Sequence, residues 1–444
     1  FASIGFGVYA ARHEHLRAPW RQVVRRPLAM SALVVLAAYV AIGLLDSVHF
    51  RSRLADSEQY SAEVKSLLDV VLTPLRARVE RTYSAPFAAH AFMKETVEAP
   101  DGRRERVYPR LKYGGAHLSD PADHGGDIAW RLALAITSGV ALWALLLLGF
   151  IWYRAAPDTR VGEAWRAFWR GADEIPWRSI WATAAFLIVL GSIGVQLAPY
   201  YHLLGTDQVG IDVLYKSLKS VRTGLVIGTL TTLVMLPFAL LLGVMAGYFR
   251  GWVDDIIQYT YTTLSSIPGV LLIAAAILSL QVYMANHPES FDNVAARADT
   301  RLLFLCIILG VTSWTSLCRL LRGETLKLRE VDYIEAARAL GVPSFRIMTR
   351  HLFPNVMHIV LITVVLDFSG LVLAEAVLSY VGVGVDPSMD SWGNMINSAR
   401  LEMARDPMVW WSLAAAFVFM FGLVLAANLF SDAVRDAFDP RLRT

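Results

Sequence analysis

The chain has 444 residues, 55% hydrophobic and only 18% charged, with a net charge of +3 and a mean hydropathy of +0.46. That balance excludes an ordinary soluble protein, and no nucleic-acid partner is expected. The apolar residues are bunched into eight windows long enough for a bilayer core, which needs about 20 residues. They are 28–45, 128–153, 179–198, 224–248, 256–282, 302–321, 356–378 and 409–430, so the class is an all-α integral membrane protein with about eight transmembrane helices.

In chain order, residues 1–27 form a cytoplasmic tail whose aromatic-basic run (Trp20, Arg21, Arg25, Arg26) suits lipid headgroups. The chain opens on Phe1, so a few residues are expected to precede it. No small-residue cleavage pattern follows the first transmembrane helix, 28–45, which reads as a retained anchor. Residues 46–127 form an extracytoplasmic insertion. Within it, 57–81 has helical spacing at Val64, Leu67, Leu68, Val71, Leu72 and Leu75, while Pro100-Asp101-Gly102 and Gly114-Gly115 mark loop. Residues 128–199 hold an additional helix pair. In 200–222, Gly205-Thr206-Asp207 makes a turn on the outer surface, where Thr206 or Asp207 is expected to cap a helix starting near Val209. The amphipathic run Val213, Leu214, Leu218 and Val221 is then expected to lie at the membrane surface.

Charge placement sets orientation. Arginines crowd before the first window (Arg12, Arg17, Arg21), between the second and third (Arg154, Arg160, Arg166, Arg170, Arg178), after the sixth (Arg319 to Arg350) and in the tail (Arg435, Arg441, Arg443). Short cytoplasmic loops collect Lys and Arg, so all four stretches go inside, and eight spans satisfy that parity with both termini cytoplasmic. The loop at Lys216, Lys219 and Arg222 is the exception.

The spans carry several marked residues. Gly224/Gly228 and Gly243/Gly247 are small-xxx-small pairs flanking Pro237, suited to close helix packing and to a kink or hinge. The fifth window opens with hydroxyls from Tyr259 to Ser266 and meets Pro268, which suits either interhelical glue or a wet pathway wall. Asp367 and Glu375 lie inside the seventh. Each costs roughly 2.5–3.5 kcal/mol at bilayer depth, so they line a pathway or fix helix packing. Cys306 and Cys318 sit about 18 Å apart on one helix and cannot bridge.

Chemistry is absent by motif. No Gly-Lys pair, hence no phosphate loop, occurs in the chain. His13-Glu14-His15 lacks i, i+4 spacing, the other histidines are scattered, and no metal site or nucleophile motif is found. No catalytic residue and no cofactor are expected in this chain.

The most informative stretch is 335–355, within a cytoplasmic loop 322–355. Glu335, Ala336 and Ala337 lie on one short amphipathic helix, Gly341 breaks it, and Pro343-Ser344 opens a second, with Ser344 as its cap and Arg346 and Arg350 on its polar side. Pro354 is expected to end that helix. A water-exposed elbow between spans implies that something in the aqueous phase grips it.

The spacing Glu335-Ala336-Ala337, Gly341, Pro354 resembles the cytoplasmic signature of ABC importer permeases. Residues 204–214 (LGTDQVGIDVL), 373–385 (LAEAVLSYVGVGV) with Ser391-Trp392-Gly393, and 428–441 (NLFSDAVRDAFDPR) narrow the resemblance to the C-type permease of the dipeptide/oligopeptide/nickel branch. It covers 200–444, the expected permease core, plus the RRPLAMSALVVL start. Residues 46–199 have no counterpart in a six-span pattern, Ile211 replaces a usual arginine, and His351 suits the peptide branch. The resemblance implies a type I (MetI-like) permease fold in a bacterial inner membrane. It also implies import of peptides or related solutes through a pathway shared with a homologous permease. Two ATPase subunits binding ATP and magnesium would drive it, and an extracytoplasmic binding protein would feed it. The alternatives are a secondary transporter driven by an ion gradient, relying on Asp367 and Glu375, and a membrane-anchored assembly or sensor protein acting through 46–127.

Overall fold

The computed structural model describes residues 14–53, 60–98, 104–120, 123–155, 161–171, 173–291 and 294–438. In chain order the first elements are α1 (Glu14–Arg25), α2 (Pro27–Ser47), β1 (His49–Arg53), β2 (Tyr60–Ser66), α3 (Leu67–Val71), α4 (Thr73–Arg76), β3 (Glu95–Glu98) and β4 (Arg104–Val107). There follow α5 (His124–Ala155), α6 (Val161–Arg170), α7 (Trp177–Leu197), α8 (Val213–Phe249), α9 (Trp252–Ser266), α10 (Gly269–Asn286) and α11 (Val294–Leu328). The elbow and the end of the chain comprise α12 (Asp332–Ala339), α13 (Ser344–Ile347), a π-turn (Met348–Leu352), α14 (Phe353–Tyr380), α15 (Trp392–Glu402) and α16 (Trp411–Phe438). Among the described residues eight helices are long and apolar enough to cross a membrane. The chain forms two compact units, residues 1–222 with 398–444, and residues 223–397.

Three elements differ from expectation. The 256–282 window is not one helix, because Ile267 is extended (ψ 130°) ahead of Pro268, which stands at the N-cap of α10. Proline disfavours the helical conformation in the residue before it and has no N–H to give, so the polar half becomes the separate helix α9 and only α10 is a span. The run 213–222 is not a separate surface helix either. No glycine or proline interrupts it, and it forms the first turns of the 37-residue α8. At 1.5 Å per residue α8 is about 55 Å long and overruns a core of about 30 Å. Within 57–81, the expected helix is shortened to α3 and α4. Strand β2 claims Tyr60–Ser66 by antiparallel pairing with β1, His49 opposite Ser66 and Phe50 opposite Lys65. Ser66 and Asp69 then cap α3 reciprocally, which fixes where the helix starts.

In the first unit the additional pair is tightly joined. A Cβ on Gly139 of α5 would lie 3.0 Å from the Val189 Cα of α7, and Ser192 Oγ donates to the Ala135 carbonyl at 2.8 Å. Helix α16 packs against α2, and the Tyr39 hydroxyl donates to the Phe419 carbonyl at 2.8 Å. The end of α16 is folded into its own unit through one face: Ala433, Val434, Ala437 and Phe438 are buried. Phe438 meets Trp20 edge-on and Asp436 pairs with Arg26 at 2.6 Å. Asp439-Pro440-Arg441, His13 and Pro100-Asp101-Gly102 lie outside the described residues.

The described part of the insertion is no loose decoration, for it is stitched to 200–222 by buried polar groups. His202 is 3% exposed and lies 2.7 Å from Asp212 through Nδ1 and 3.4 Å from Glu80 through Nε2. Glu80 also accepts the backbone N–H groups of Lys112, Tyr113 and Gly114. Burial alone would lower the pKa of His202, but the bonds to Asp212 and Glu80 outweigh it and hold the imidazole at about 9. Burial would raise Glu80, but the bond from His202 and three backbone donors hold it at about 2. The three cations that break the charge rule are accounted for on the same side. Lys216 binds Asp207 at 2.5 Å, Lys219 binds Asp46 at 2.6 Å and Asp69 at 3.1 Å, and Arg222 reaches His49 at 3.4 Å.

Replacing His202 by Gln leaves two buried carboxylates without their cation and is expected to cost about 3–5 kcal/mol, seen as a lower Tm. Because its pKa is raised, the contribution of His202 is complete below pH 6.5 and withdrawn as pH rises through about 9. The wild-type Tm should therefore fall between pH 7 and 10 more than that of His202→Gln.

Candidate functional site

The elbow lies in the second unit and is built on a close helix crossing. Cβ atoms added to Gly243 and Gly247 of α8 would stand 2.9 Å from the Cys318 carbonyl and 2.8 Å from the Arg322 carbonyl of α11. Any larger residue would push the two backbones apart. At the end of the crossing Arg322 grips Asp254 of α9 with two bonds of 2.6 and 2.7 Å. Arg329 donates to the Tyr248 carbonyl at 2.9 Å, and Arg250 pairs with Glu330 at 2.5 Å. Chain direction out of α8 and α11 is thereby set by charge-assisted bonds.

Helix α12 then leaves α11 through a tight turn. It ends in a paired closure: the Gly341 N–H donates to the Arg338 carbonyl at 3.0 Å, and the Val342 N–H to the Ala337 carbonyl at 3.0 Å. This is the six-to-one and five-to-two bonding of a Schellman cap, with Gly341 at φ +74°. A Cβ there would meet nothing within 4 Å, so the left-handed backbone alone calls for glycine. One residue of each short helix is driven inward. Ile334 and Ile347 are both 0% exposed and join a core with Met235, Tyr248, Leu317, Leu321, Leu352 and Val356. The opposite face stays open: Leu340 is 83% and Phe345 73% exposed, beside exposed Glu335, Ala336 and Ala339. Glu335 has no hydrogen-bond or ion-pair partner among the described residues, and Arg346 and Arg350 are exposed.

Two details depart from expectation. Ser344 does not cap α13. Pro343 holds the N-cap position without a side-chain bond, and the Ser344 hydroxyl sits 3.4 Å from that of Tyr248. Pro354 does not end the second helix. It falls in the first turn of α14, where a missing N–H is tolerated, and the π-turn at Met348–Leu352 widens the coil ahead of it. The elbow is thus continuous with the seventh span.

Asp367 and Glu375, both on α14, separate clearly. Glu375 is 3% exposed and accepts from the Ser379 hydroxyl at 2.7 Å, with further donors from Ser391 and the Gly393 N–H. It fixes the packing of α14 against Ser391 and the start of α15. Asp367 is half-buried and has no partner among the described residues. Pro237 is exposed on α8, which continues through it, and Pro268 is exposed at the α9–α10 break. The hydroxyls of Tyr259, Thr260, Thr262, Thr263, Ser265 and Ser266 all lie on exposed residues.

In the first unit, Gly205, Thr206 and Asp207 do not cap a helix at Val209. Asp207 accepts the N–H groups of Val209 and Ile211, folding a turn, while α8 starts at Val213 with Asp212 accepting from Leu214. Thr206 bonds the Thr82 carbonyl at 2.9 Å and the Ser84 N–H at 2.7 Å, and the Trp411 indole donates to the Thr206 carbonyl at 2.9 Å. Gly205 is at φ +70°, and its Cβ would collide with the Ser84 carbonyl. Sequence reading missed the anchors Ile334 and Ile347 and the knobs Leu340 and Phe345. The one available signal was a leucine and a phenylalanine flanking Gly341 in an otherwise polar loop.

Comparison with known proteins agrees with this architecture. Residues 239–444 match the family model described as binding-protein-dependent transport system inner membrane component. The chain is 32% identical over 311 residues to a glutathione transport system permease protein of Pectobacterium atrosepticum, covering 65% of this chain and 94% of that one. It is 31% identical over 243 residues to an oligopeptide transport system permease protein of Mycobacterium tuberculosis (55% of this chain, 77% of the relative). A dipeptide transport system permease protein of Bacillus subtilis is 27% identical over 274 residues (58% and 79%). A many-span helical protein with a water-exposed elbow ahead of one span is the class that fold and site define. The chain belongs to the family of binding-protein-dependent transport system inner membrane components and is a permease subunit. Neither a stand-alone secondary transporter nor an assembly or sensor protein fits this membership.

The anchors and the turn predict different penalties. Ile347→Ala is expected to lose about 2–5 kcal/mol through a buried cavity. Gly341→Ala should lose only about 1 kcal/mol, because strain at positive φ is its sole effect. Thermal unfolding, with limited trypsin cleavage at Arg338 and Arg346, measures both.

Proposed function

We propose that this chain forms, with a homologous permease subunit, the pathway of an ATP-driven importer for peptides or closely related solutes in a bacterial inner membrane. Two ATPase subunits, which would bind ATP and magnesium, take hold of the elbow at 322–355, and an extracytoplasmic solute-binding protein delivers cargo. The elbow and both termini face the cytoplasm, and the insertion faces outward, as the arginine-rich stretches favour. Peptides are proposed because the relatives are named for glutathione, oligopeptide and dipeptide transport.

The carrying observation is the division of the elbow into two faces. Ile334 and Ile347 bury one face in the span core, while Glu335, Leu340 and Phe345 leave the other uncovered. A monomer gains nothing by exposing a leucine and a phenylalanine at 83% and 73% on adjoining turns, but a partner groove would. ATP-dependent closure of the ATPases would displace α12 and α13 together. The continuous coil from Ser344 to Tyr380 would pass that movement into the membrane. Asp367 and the hydroxyl face of α9 supply polar groups to a wetted pathway, where Asp367 can receive a peptide amino group.

Reconstituted with its partners in liposomes, Glu335→Arg and Leu340→Asp should each lower peptide-stimulated ATP hydrolysis at least about tenfold, the cost of one interface hot spot. Both variants should still reach the membrane. Stimulation retained in both removes the coupling role of the elbow. Asp367→Asn should reduce uptake of labelled peptide while leaving assembly intact, and unchanged uptake removes Asp367 from the pathway.

A further inference from the structure

Helix α6 joins two spans, α5 and α7, and its ten residues carry two apolar surfaces. One is satisfied within the unit. Phe168 is 4% exposed and shares a core with Leu147 and Ile151 of α5, against which Trp177 and Trp181 of α7 pack. The other is not. Val161, Trp165 and Trp169 follow one another at four-residue spacing, a single stripe along the helix, and are 49%, 39% and 48% exposed. The two indoles meet edge-on with ring centres 5.9 Å apart. Arg166 and Arg170 make the next stripe, about 100° round from the tryptophans. Both are exposed, and apart from the bond of Arg166 Nε to the Gly162 carbonyl at 3.2 Å neither has a hydrogen bond or ion pair among the described residues.

The depth of α6 follows from what it packs against. Helix α7 has 21 residues. At 1.5 Å per residue that is about 31 Å, which just covers a hydrocarbon core of about 30 Å. Its first residue, Trp177, therefore stands at the edge of that core. Because Trp177 and Trp181 pack on the cluster that holds Phe168, α6 lies beside the first turns of α7 rather than out in the water.

The flanks of α6 look in opposite directions. Trp169 lines a cavity together with Trp181, Ala182 and Ala185, farther into the span. Glu163 and Ala167 line another with Arg154 and Asp173, which pair at 2.6 Å at the polar end of α5. The tryptophan stripe is thus turned toward the bilayer and Glu163 away from it. Indoles favour that boundary, where an apolar ring and a polar N–H are both accommodated. A zwitterionic surface would suit the indoles, but two neighbouring guanidinium groups without an acid call for net negative charge.

We propose that α6 is an interfacial helix that binds an anionic phospholipid surface. Val161, Trp165 and Trp169 lie among the headgroups and uppermost methylenes, Arg166 and Arg170 pair with lipid phosphates, and Glu163 faces water. The helix thereby pins the adjoining ends of α5 and α7 at one depth. This site belongs to the additional helix pair and stands apart from the transport reading.

The test places the full-length chain in nanodiscs of phosphatidylcholine, with and without phosphatidylglycerol, and follows reaction of single added cysteines with a water-soluble maleimide. Cys306 and Cys318 are fully buried, and the chain without an added cysteine gives the background. Val161→Cys and Glu163→Cys both fall at exposed positions, so neither disturbs packing. With phosphatidylglycerol present, Val161→Cys should react at least about tenfold more slowly than Glu163→Cys. Omitting that lipid, or adding Arg166→Gln with Arg170→Gln, should speed Val161→Cys about fivefold or more, the contribution of at least one cation at an anionic surface. Equal rates at the two positions, or a Val161→Cys rate indifferent to the lipid or to the two substitutions, overturns the proposal. So does protection that appears only when ATPase or homologous permease subunits are added, which would assign the face to a protein. A fluorophore on either cysteine gives a second readout with phosphatidylglycerol spin-labelled high on its acyl chain. Stronger quenching at Val161→Cys supports the site, and equal quenching overturns it.

Discussion

A force applied to two short helices reaches a membrane span only if those helices cannot slide over it. In this protein that condition is met by Ile334 and Ile347, each fully buried in the core that also holds Leu317, Leu321, Leu352 and Val356. Burying such a side chain is worth about 1.5–3 kcal/mol, more than the surface ion pairs nearby can supply. The Schellman closure at Gly341 fixes the angle between the helices, and the π-turn ahead of Pro354 carries the second into α14 without a break. The elbow is therefore a rigid corner whose outer face, with Leu340 and Phe345, is uncovered.

Within the second unit that corner stands on backbones held close together. Lipid tails are as apolar as leucine, so helices in a bilayer associate through packing and hydrogen bonds rather than through hydrophobic burial. Gly243 and Gly247 let α8 approach the carbonyls of α11, and Asp254–Arg322 clamps the end of the same crossing. Glu375 plays a comparable part farther along α14, where its carboxylate is occupied by Ser379, Ser391 and Gly393. Asp367 is the contrast, an acid on the same helix with nothing to hold among the described residues.

The first unit solves a different problem. The described part of its insertion has little apolar core, and what locks it to 200–222 is a set of buried ionic contacts centred on His202, Asp212 and Glu80. Breaking one member of such a set costs far more than the set contributes over an apolar substitute, which makes the arrangement specific rather than merely stable. The same chemistry neutralises Lys216 and Lys219, so cations that look misplaced in a count of loop charges are internal partners of Asp207, Asp46 and Asp69.

The sequence by itself determined the apolar windows, the elbow's glycine turn and the family resemblance, because each depends on residues adjacent in the chain. Runs of uncharged residues make spans in any context, and a left-handed turn needs glycine whatever surrounds it. Only the tertiary structure decided that Ile334 and Ile347 are the anchors while Leu340 and Phe345 are not, since all four are equally apolar and differ only in what lies opposite. It likewise gave β2 the residues that helical spacing had claimed, and split Glu375 from Asp367. Local periodicity records what a segment could bury; the partner surface that selects among those choices comes from distant parts of the chain.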